Sequence, residues 1–409
     1  MMASMTTTVG RRTFPTLIHA NMAGRHFLQI PGPTPIPDRL LRAMHRASED
    51  HRSSAFPTFT RSILSRLPQV VHQTQGEHFV FPASGTGMWE AALVNTQNPG
   101  ARLLAVRFGQ FSHLFIQTAR NLGYIVDVIE VPWGDVPDPS LIEAALVADA
   151  AHEIQGVLVV HNETATGVTT DMASVRAAID RAKHPALLYV DGVSSIASLD
   201  FQFDAWGVDC SIAGSQKGFM LPAGLGLLGM SEKALARVAT TITPRSYFDL
   251  RPMRVQNAQG YFPYTPALSL LFGLDEALTM LLDEGMDNVA ARHRRMAVGV
   301  RAAVTAWGLQ QCAKRPEIAS NSLTAVIVPE GFDAAKVIDI AFKRYDVSLG
   351  AGLSELAGKV FRIGHLGDMN ALTLAGALGG IEMALVDAGI LVTLGSGVGA
   401  ALQTWRVSG

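Results

Sequence analysis

Short apolar runs alternating with longer amphipathic stretches predict an α/β protein, with a mostly parallel sheet sandwiched by helices and a smaller C-terminal α/β domain. Three observations carry that expectation. Strand-like runs at 79–81, 103–106, 125–131, 156–160, 187–190 and 210–213 are separated by helical patterns at 88–95, 112–122, 140–148 and 172–181. Parallel neighbours need a crossover of about a dozen residues, which these helical patterns supply. The chain has 409 residues, more than one core serves, and 48% hydrophobic against 17% charged content describes large interiors.

Taken in order, residues 1–37 read as a leader and an extended arm. They hold no Asp or Glu but do hold Arg11, Arg12 and Arg25, a composition shared with transit peptides, although neither an amphipathic period nor a cleavage signal accompanies it. The prolines of Pro31-Gly32-Pro33-Thr34-Pro35-Ile36-Pro37 fix φ and forbid helix. Asp38 is then expected to cap a helix over 39–47, with Leu40, Leu41 and Met44 at helical spacing. The large domain is assigned to 38–285. A long helical stretch, 266–304, carries the chain into a small domain, 286–409, with strands at 323–328 and 359–363 around a helix at 333–342. The tract 371–401, apolar but interrupted by Glu382, Asp387 and several glycines, reads as a buried helix and a turn.

Composition excludes several classes of function. A formal net charge of -2, from 33 basic and 35 acidic residues, offers no basic field to nucleic acid. No apolar run reaches the roughly 18 residues that span a bilayer, so no membrane partner is expected. Cys210 and Cys312 stand in unrelated contexts and make neither a disulfide framework nor a metal cluster. That fits a reducing compartment, and the cytoplasm is the expectation.

In open parallel sheets ligands gather at the carboxyl ends of the strands, so the residues just after each apolar run matter most. The first run leads into Pro82-Ala83-Ser84-Gly85-Thr86-Gly87-Met88 and a helix. Small residues at a helix start leave backbone N–H groups open where the dipole is positive, which suits a phosphate, although most such turns are only structural. A GxGxxG occurs at Gly224-Leu225-Gly226-Leu227-Leu228-Gly229, but Pro222 and Ala223 precede it and the glycines lie in a run that itself reads as a strand. Close backbone packing explains it better than a dinucleotide site does. Asp191 ends one apolar run with a half-desolvated carboxylate, which could cap the turn at Gly192 or pair with a cation. Lys217 follows a later run, among glycines; burial there would lower the ammonium pKa and free the amine to attack a carbonyl. An isolated amine, an acid and a phosphate-ready helix start on different strand tips fit pyridoxal 5'-phosphate. That cofactor needs an amine for attachment, an anion for its pyridinium nitrogen and a phosphate cup.

Val190-Asp191-Gly192-Val193-Ser194-Ser195 and Gly214-Ser215-Gln216-Lys217-Gly218 resemble the two signature segments of class V pyridoxal phosphate-dependent aminotransferases. The likeness runs from Pro31-Gly32-Pro33-Thr34 to Gly395-Ser396-Gly397. Within the class, Glu49-Asp50-His51-Arg52-Ser53, Arg107-Phe108-Gly109-Gln110-Phe111-Ser112-His113, His161-Asn162-Glu163-Thr164-Ala165-Thr166-Gly167 and Phe361-Arg362-Ile363-Gly364-His365 are most similar to serine–glyoxylate aminotransferases. The resemblance implies a fold-type I architecture and assigns roles. Lys217 would hold the cofactor covalently and, once displaced by substrate, act as general base and then acid. Asp191 would keep the ring nitrogen charged. Phe111 would stack on the ring, with a core aromatic as the rival reading, and Val193 would press the opposite face. Ser84, Gly85, Thr86, Gly87 and Met88 would surround the phosphate, with Gln216 nearby. Arg362 would clamp the substrate carboxylate bidentately, with Gly32 beside the substrate and Thr164 near the cofactor ring hydroxyl or the substrate. The family completes its phosphate site across a dimer interface, which points to Tyr264 and Thr265. Phe262 stands where many relatives have tyrosine, so Tyr261 and Tyr264 compete for that place. His51 and Arg52 would either enter the partner's site or brace the dimer. His161 and His365 read as packing or supporting groups, and no metal is expected.

The activity implied is transfer of the amino group of L-serine to glyoxylate, giving hydroxypyruvate and glycine by a ping-pong route in a homodimer or dimer of dimers. Aspartate, alanine or ureidoglycine as donor is the alternative; a dicarboxylate would want a second cation, for which Arg52 is the obvious candidate. A lyase such as a cysteine desulfurase needs a reactive cysteine on a mobile loop, which neither Cys210 nor Cys312 offers. A cofactor-free binding module would have no reason to keep Lys217 and Asp191 together.

Overall fold

The repeated apolar runs assemble into one seven-stranded sheet, ordered Glu77–Ala83, Gly224–Met230, Cys210–Gly214, Leu187–Asp191, Ile154–Val160, Arg102–Arg107 and Ile125–Glu130. The computed structural model describes residues 23–407. All strands of this sheet run parallel except Gly224–Met230, which is antiparallel to both neighbours. Leu187–Asp191 is buried at every position, because helices cover both faces; that is why the run is continuous instead of alternating. The reversed strand is the GxGxxG stretch. A Cβ on Gly226 would press into Met88 and the Ser84 carbonyl, and one on Gly229 into Ser211 and His78. Close approach of neighbours accounts for these glycines.

A second sheet, ordered Phe27–Gln29, Val347–Ala351, Val360–Gly364, Leu323–Ile327 and Gln310–Gln311, has its own core containing Trp307, Phe361, Leu378 and Trp405. The N-terminal arm enters this sheet, pairing parallel with Val347–Ala351. It then crosses to the turn after Cys210–Gly214, where the Thr34 N–H and hydroxyl donate to the carbonyls of Gln216 and Lys217. The expected leader lies, up to residue 22, outside the described residues. Asn162 joins the two halves: its amide donates to the Ser194 and Ser322 hydroxyls, and its carbonyl accepts from Thr169 and Ser320. Among the described residues no helix is long and apolar enough to cross a membrane.

Some expectations are corrected. The first helix spans Asp38–Met44, and Asp38 is its first residue, not its cap; Pro37 precedes it and no side chain caps it. The acid there complements the helix dipole instead. The stretch 266–304 is two helices, Leu268–Glu284 and Met286–Ala306, split at Gly285 with φ 82°. The first packs in the large core through Leu271, Leu274 and Leu278; the second starts there at Val289 and passes into the small core at Met296, Val300 and Val304. The tract 371–401 holds the helix Ala371–Asp387 and then the start of another, Ser396–Val407, instead of a helix and a turn. Buried Glu382 explains the second start, since its carboxylate accepts the Gly395 and Gly397 N–H groups at 2.8 and 2.6 Å and Trp307 Nε1 at 2.8 Å.

Candidate active site

The helix Gly85–Thr96 begins at the tip of Glu77–Ala83, where Ser84 caps it by accepting the Gly87 N–H at 3.4 Å. The Met88 N–H returns to the Ser84 carbonyl, and its side chain is buried beneath Gly226, so Met88 supports this turn from below. The N–H groups of Gly85 and Thr86 have no acceptor among the described residues. Buried Gln216 Oε1 accepts no bond, and a Cβ on Gly214 would lie 2.8 Å from it and 3.4 Å from the Gly85 nitrogen. Val193 packs so closely on Gly85 that any side chain there would strike its methyl. Open backbone donors at a positive helix end, with the exposed Ser84 and Thr86 beside them, are a phosphate's donor set.

Asp191 closes the strand Leu187–Asp191 and is 4% exposed. Its Oδ1 accepts the Val193 N–H at 2.8 Å, while Oδ2 takes no bond from a described residue. Burial pushes the carboxyl up to about 7; Glu163 adds to the rise, and the Val193 N–H and Lys217 oppose it. Trp89 Nε1 stands beside the carboxylate, outside good hydrogen-bond geometry. Lys217 donates to the Pro31 carbonyl. Burial pushes its ammonium down to about 8, with Arg362 adding to the fall and Asp191 opposing it. A Cβ on Gly32 would lie 2.5 Å from Lys217 Cδ and Nζ, and Gly32 holds φ 118°, so glycine lets the arm pass over the amine.

Arg362 comes from the small sheet and is 8% exposed. Nε donates to the Ala351 carbonyl at 2.8 Å and Nη1 to that of Thr164 at 2.9 Å, leaving Nη2 and a second Nη1 hydrogen for a carboxylate. Burial pushes this guanidinium down to about 10, and Glu163 opposes the fall. Lys217 therefore stands within the fields of Asp191 and Arg362, and Glu163 within reach of both Asp191 and Arg362. The group fits pyridoxal 5'-phosphate: an amine, an Asp191 carboxylate oxygen open to a further donor, and a donor set for phosphate.

Phe111 lies in the first turn of the helix Gln110–Asn121, half-buried against the large core. Thr164 is buried, with its carbonyl on Arg362. The Tyr264 ring stacks on Tyr247 at 5.1 Å, and its buried hydroxyl has no partner, whereas the Tyr261 hydroxyl donates to the Ser53 carbonyl at 3.2 Å. Thr265 and Arg52 are exposed, and Arg52 borders a groove with Val255, Gln256 and Phe262. No hydrogen bond or ion pair between described residues joins Tyr264, Thr265, His51 or Arg52 to Lys217, Asp191 or Arg362. His161 is wedged edge-on against Phe201 and Trp206, and His365 bonds Thr324 and the Asn321 carbonyl. A wide groove of about 960 Å³ lined by Leu64, Arg254 and Asn257 among others touches none of these groups, so chemistry marks the site better than size.

Glu163 and the Pro31 carbonyl are the contributors that sequence reasoning missed. A carboxylate standing alone, with no other Asp, Glu, Lys or Arg over 154–170, was the available signal for Glu163.

The chain is similar to known proteins along most of its length. A family model described as Aminotransferase class-V matches residues 26–356. A serine–glyoxylate aminotransferase of Methylorubrum extorquens is 56% identical over 388 residues, 94% of this chain and 96% of its own. An L-aspartate–glyoxylate aminotransferase of Paracoccus denitrificans is 50% identical over 388 residues, 94% of this chain and 97% of its own. The crystal structure of pyridoxamine-pyruvate aminotransferase from Mesorhizobium loti superposes with a TM-score of 0.87 at 28% identity, covering 94% of this chain and 97% of that one.

Proposed function

The chain belongs to the class V aminotransferases, and from that premise we propose that it uses pyridoxal 5'-phosphate to move the amino group of L-serine to glyoxylate, giving hydroxypyruvate and glycine. The observation that carries this reading is the meeting of a buried amine, a buried acid with a free oxygen, and a buried guanidinium with free donors. When bound, the cofactor supplies an electron sink that acidifies the amino acid's Cα proton. Lys217, held down to about 8, is partly the free amine at neutral pH, so it can attack an aldehyde and, when displaced, carry that proton. Asp191 Oδ2 would receive a protonated ring nitrogen, and the added cation would draw its carboxyl back toward the usual range. The Gly85 and Thr86 N–H groups would hold the phosphate, and Val193 and Phe111 would bracket the ring.

Arg362 would grip the α-carboxylate, its plane set by the carbonyls of Thr164 and Ala351. Serine and glyoxylate share that carboxylate, so one clamp serves both half-reactions. Arg52 makes no bond to the cluster, so a second carboxylate on aspartate would find no partner there within one chain. Tyr264, with its unpartnered hydroxyl, and Thr265 would complete a partner's phosphate site in a homodimer. Burial pushes the Cys312 thiol up to about 11 and Cys210 well above its ordinary value, which disfavours a persulfide-forming lyase. Two unpaired cysteines suit the cytoplasm.

The test is a panel of amino donors at fixed glyoxylate, following glycine. Serine should be fastest; aspartate exceeding it by about tenfold, roughly 1.4 kcal/mol, would replace serine as the donor. A visible absorbance band, trapped by borohydride at Lys217, should be absent in Lys217→Ala. A trapped adduct persisting in that variant would overturn the assignment.

A further inference from the structure

We infer that Glu163 is a positioning residue for both ends of this site: its buried carboxylate sets Phe111 on one side and, through the turn at Thr164, Arg362 on the other. The inference rests on the cofactor-site reading above. Glu163 is 0% exposed and both its oxygens are engaged. Oε2 accepts the Phe111 and Ser112 N–H groups at 3.0 and 2.9 Å, and Oε1 accepts the Ala165 N–H at 3.0 Å.

Phe111 and Ser112 belong to the first turn of the helix Gln110–Asn121, where N–H groups have no acceptor within the helix. Gly109, at the cap position, has no side chain to offer them. A Cβ there would run into the Glu163 carboxylate, which occupies the capping place from a distant part of the chain. The positive helix end favours an anion over a neutral amide in that place. On the other side, the Ala165 N–H bond closes a tight turn around Thr164, whose carbonyl accepts Arg362 Nη1 at 2.9 Å. The same carboxylate thus fixes the backbone beneath the candidate stacking ring and the acceptor that orients the candidate carboxylate clamp. It makes no ion pair at contact distance with any described residue; burial pushes its carboxyl up, the Ser112, Ala165 and Phe111 N–H groups oppose that rise, and as the anion its field reaches both Asp191 and Arg362.

The experiment titrates cofactor-free wild type, Glu163→Gln, Phe111→Leu and the double variant with pyridoxal 5'-phosphate. It also records visible circular dichroism of the bound cofactor, KM and kcat for both substrates, and thermal unfolding. Glu163→Gln should weaken cofactor binding and raise both KM values by roughly tenfold, change the visible dichroism, and lower kcat less. The double variant should bind the cofactor less weakly than the product of the single losses, because Glu163 acts through Phe111. A Glu163→Gln protein that melts earlier yet keeps wild-type cofactor affinity, KM and dichroism would reduce the residue to a helix cap. Additive losses would refute the route through Phe111. Wild-type protein that binds no cofactor would remove the site reading itself, and this inference with it, a result separable from any variant effect.

Discussion

Two buried glutamates in this molecule use the same device in different places. Glu163 takes the N–H groups of Phe111, Ser112 and Ala165; Glu382 takes those of Gly395 and Gly397 and the Trp307 indole. Each satisfies the start of another helix: Glu163 that of Gln110–Asn121, more than fifty residues earlier, and Glu382 that of Ser396–Val407, the next in the chain. Glu382 lies in the small core and braces the C-terminal helix against Trp307, whereas Glu163 lies among Lys217, Asp191 and Arg362. A buried cap costs desolvation wherever it stands. What it returns, stability or the placement of reacting groups, depends on what the capped backbone carries.

If location makes the difference, Glu382→Ala should affect stability alone. It leaves two buried donors, the Gly397 N–H and the Trp307 indole, without an acceptor at about 1–3 kcal/mol each and not fully additive, so a loss on the order of 2–4 kcal/mol is expected in denaturant unfolding. Cofactor affinity and KM measured on the folded protein should not move; if they do, the contrast between the two glutamates is gone. Gly32→Ala tests the opposite pole. Its Cβ would occupy the Lys217 amine's space, so kcat/KM and borohydride trapping should fall by about 100-fold or more, with a stability loss of only about 1–3 kcal/mol from the positive φ.

Arg362→Lys separates domain from site. The residue sits in the small sheet, as Glu382 sits in the small core, yet its substitution should raise KM for donor and acceptor together by roughly 10–100-fold through loss of the planar fork. A selective rise for one substrate would mean that the two half-reactions use different carboxylate grips.

Lys217→Met, read only through the stability of the cofactor-free protein, gives a small effect whose sign sharpens the contrast most. The folded ammonium, held at about 8 against an ordinary 10.5, makes the buried amine a cost that is fully present below pH 8 and gone above 10.5. Removing it should therefore stabilise the cofactor-free protein by on the order of 1–3 kcal/mol at neutral pH, and progressively less as the pH rises through that window. Unfolding curves at pH 7 and pH 10.5 check this. In the wild type, borohydride-trapped cofactor should increase with pH through a midpoint near 8, where a surface lysine would show one above 10.

The parallel sheet and most of its strands are legible in the chain because their signals are local. Continuous apolar runs mark strands buried on both faces, and a lysine and an aspartate just after such runs lie at the ligand-binding edge by the geometry of the sheet. Helix boundaries at Gly285 and Ser396 were not legible, since one depends on which core each half joins and the other on a carboxylate arriving from Glu382. The amine, the acid and the helix start at Ser84 could be named from short segments, and their chemistry follows from residue type. What the tertiary structure alone decided is who stands beside whom. The Glu163 bond to Phe111 spans 52 residues and the Arg362 bond to Thr164 spans 198. Burial and charge coupling across such separations belong to the packed chain, and no local pattern encodes them.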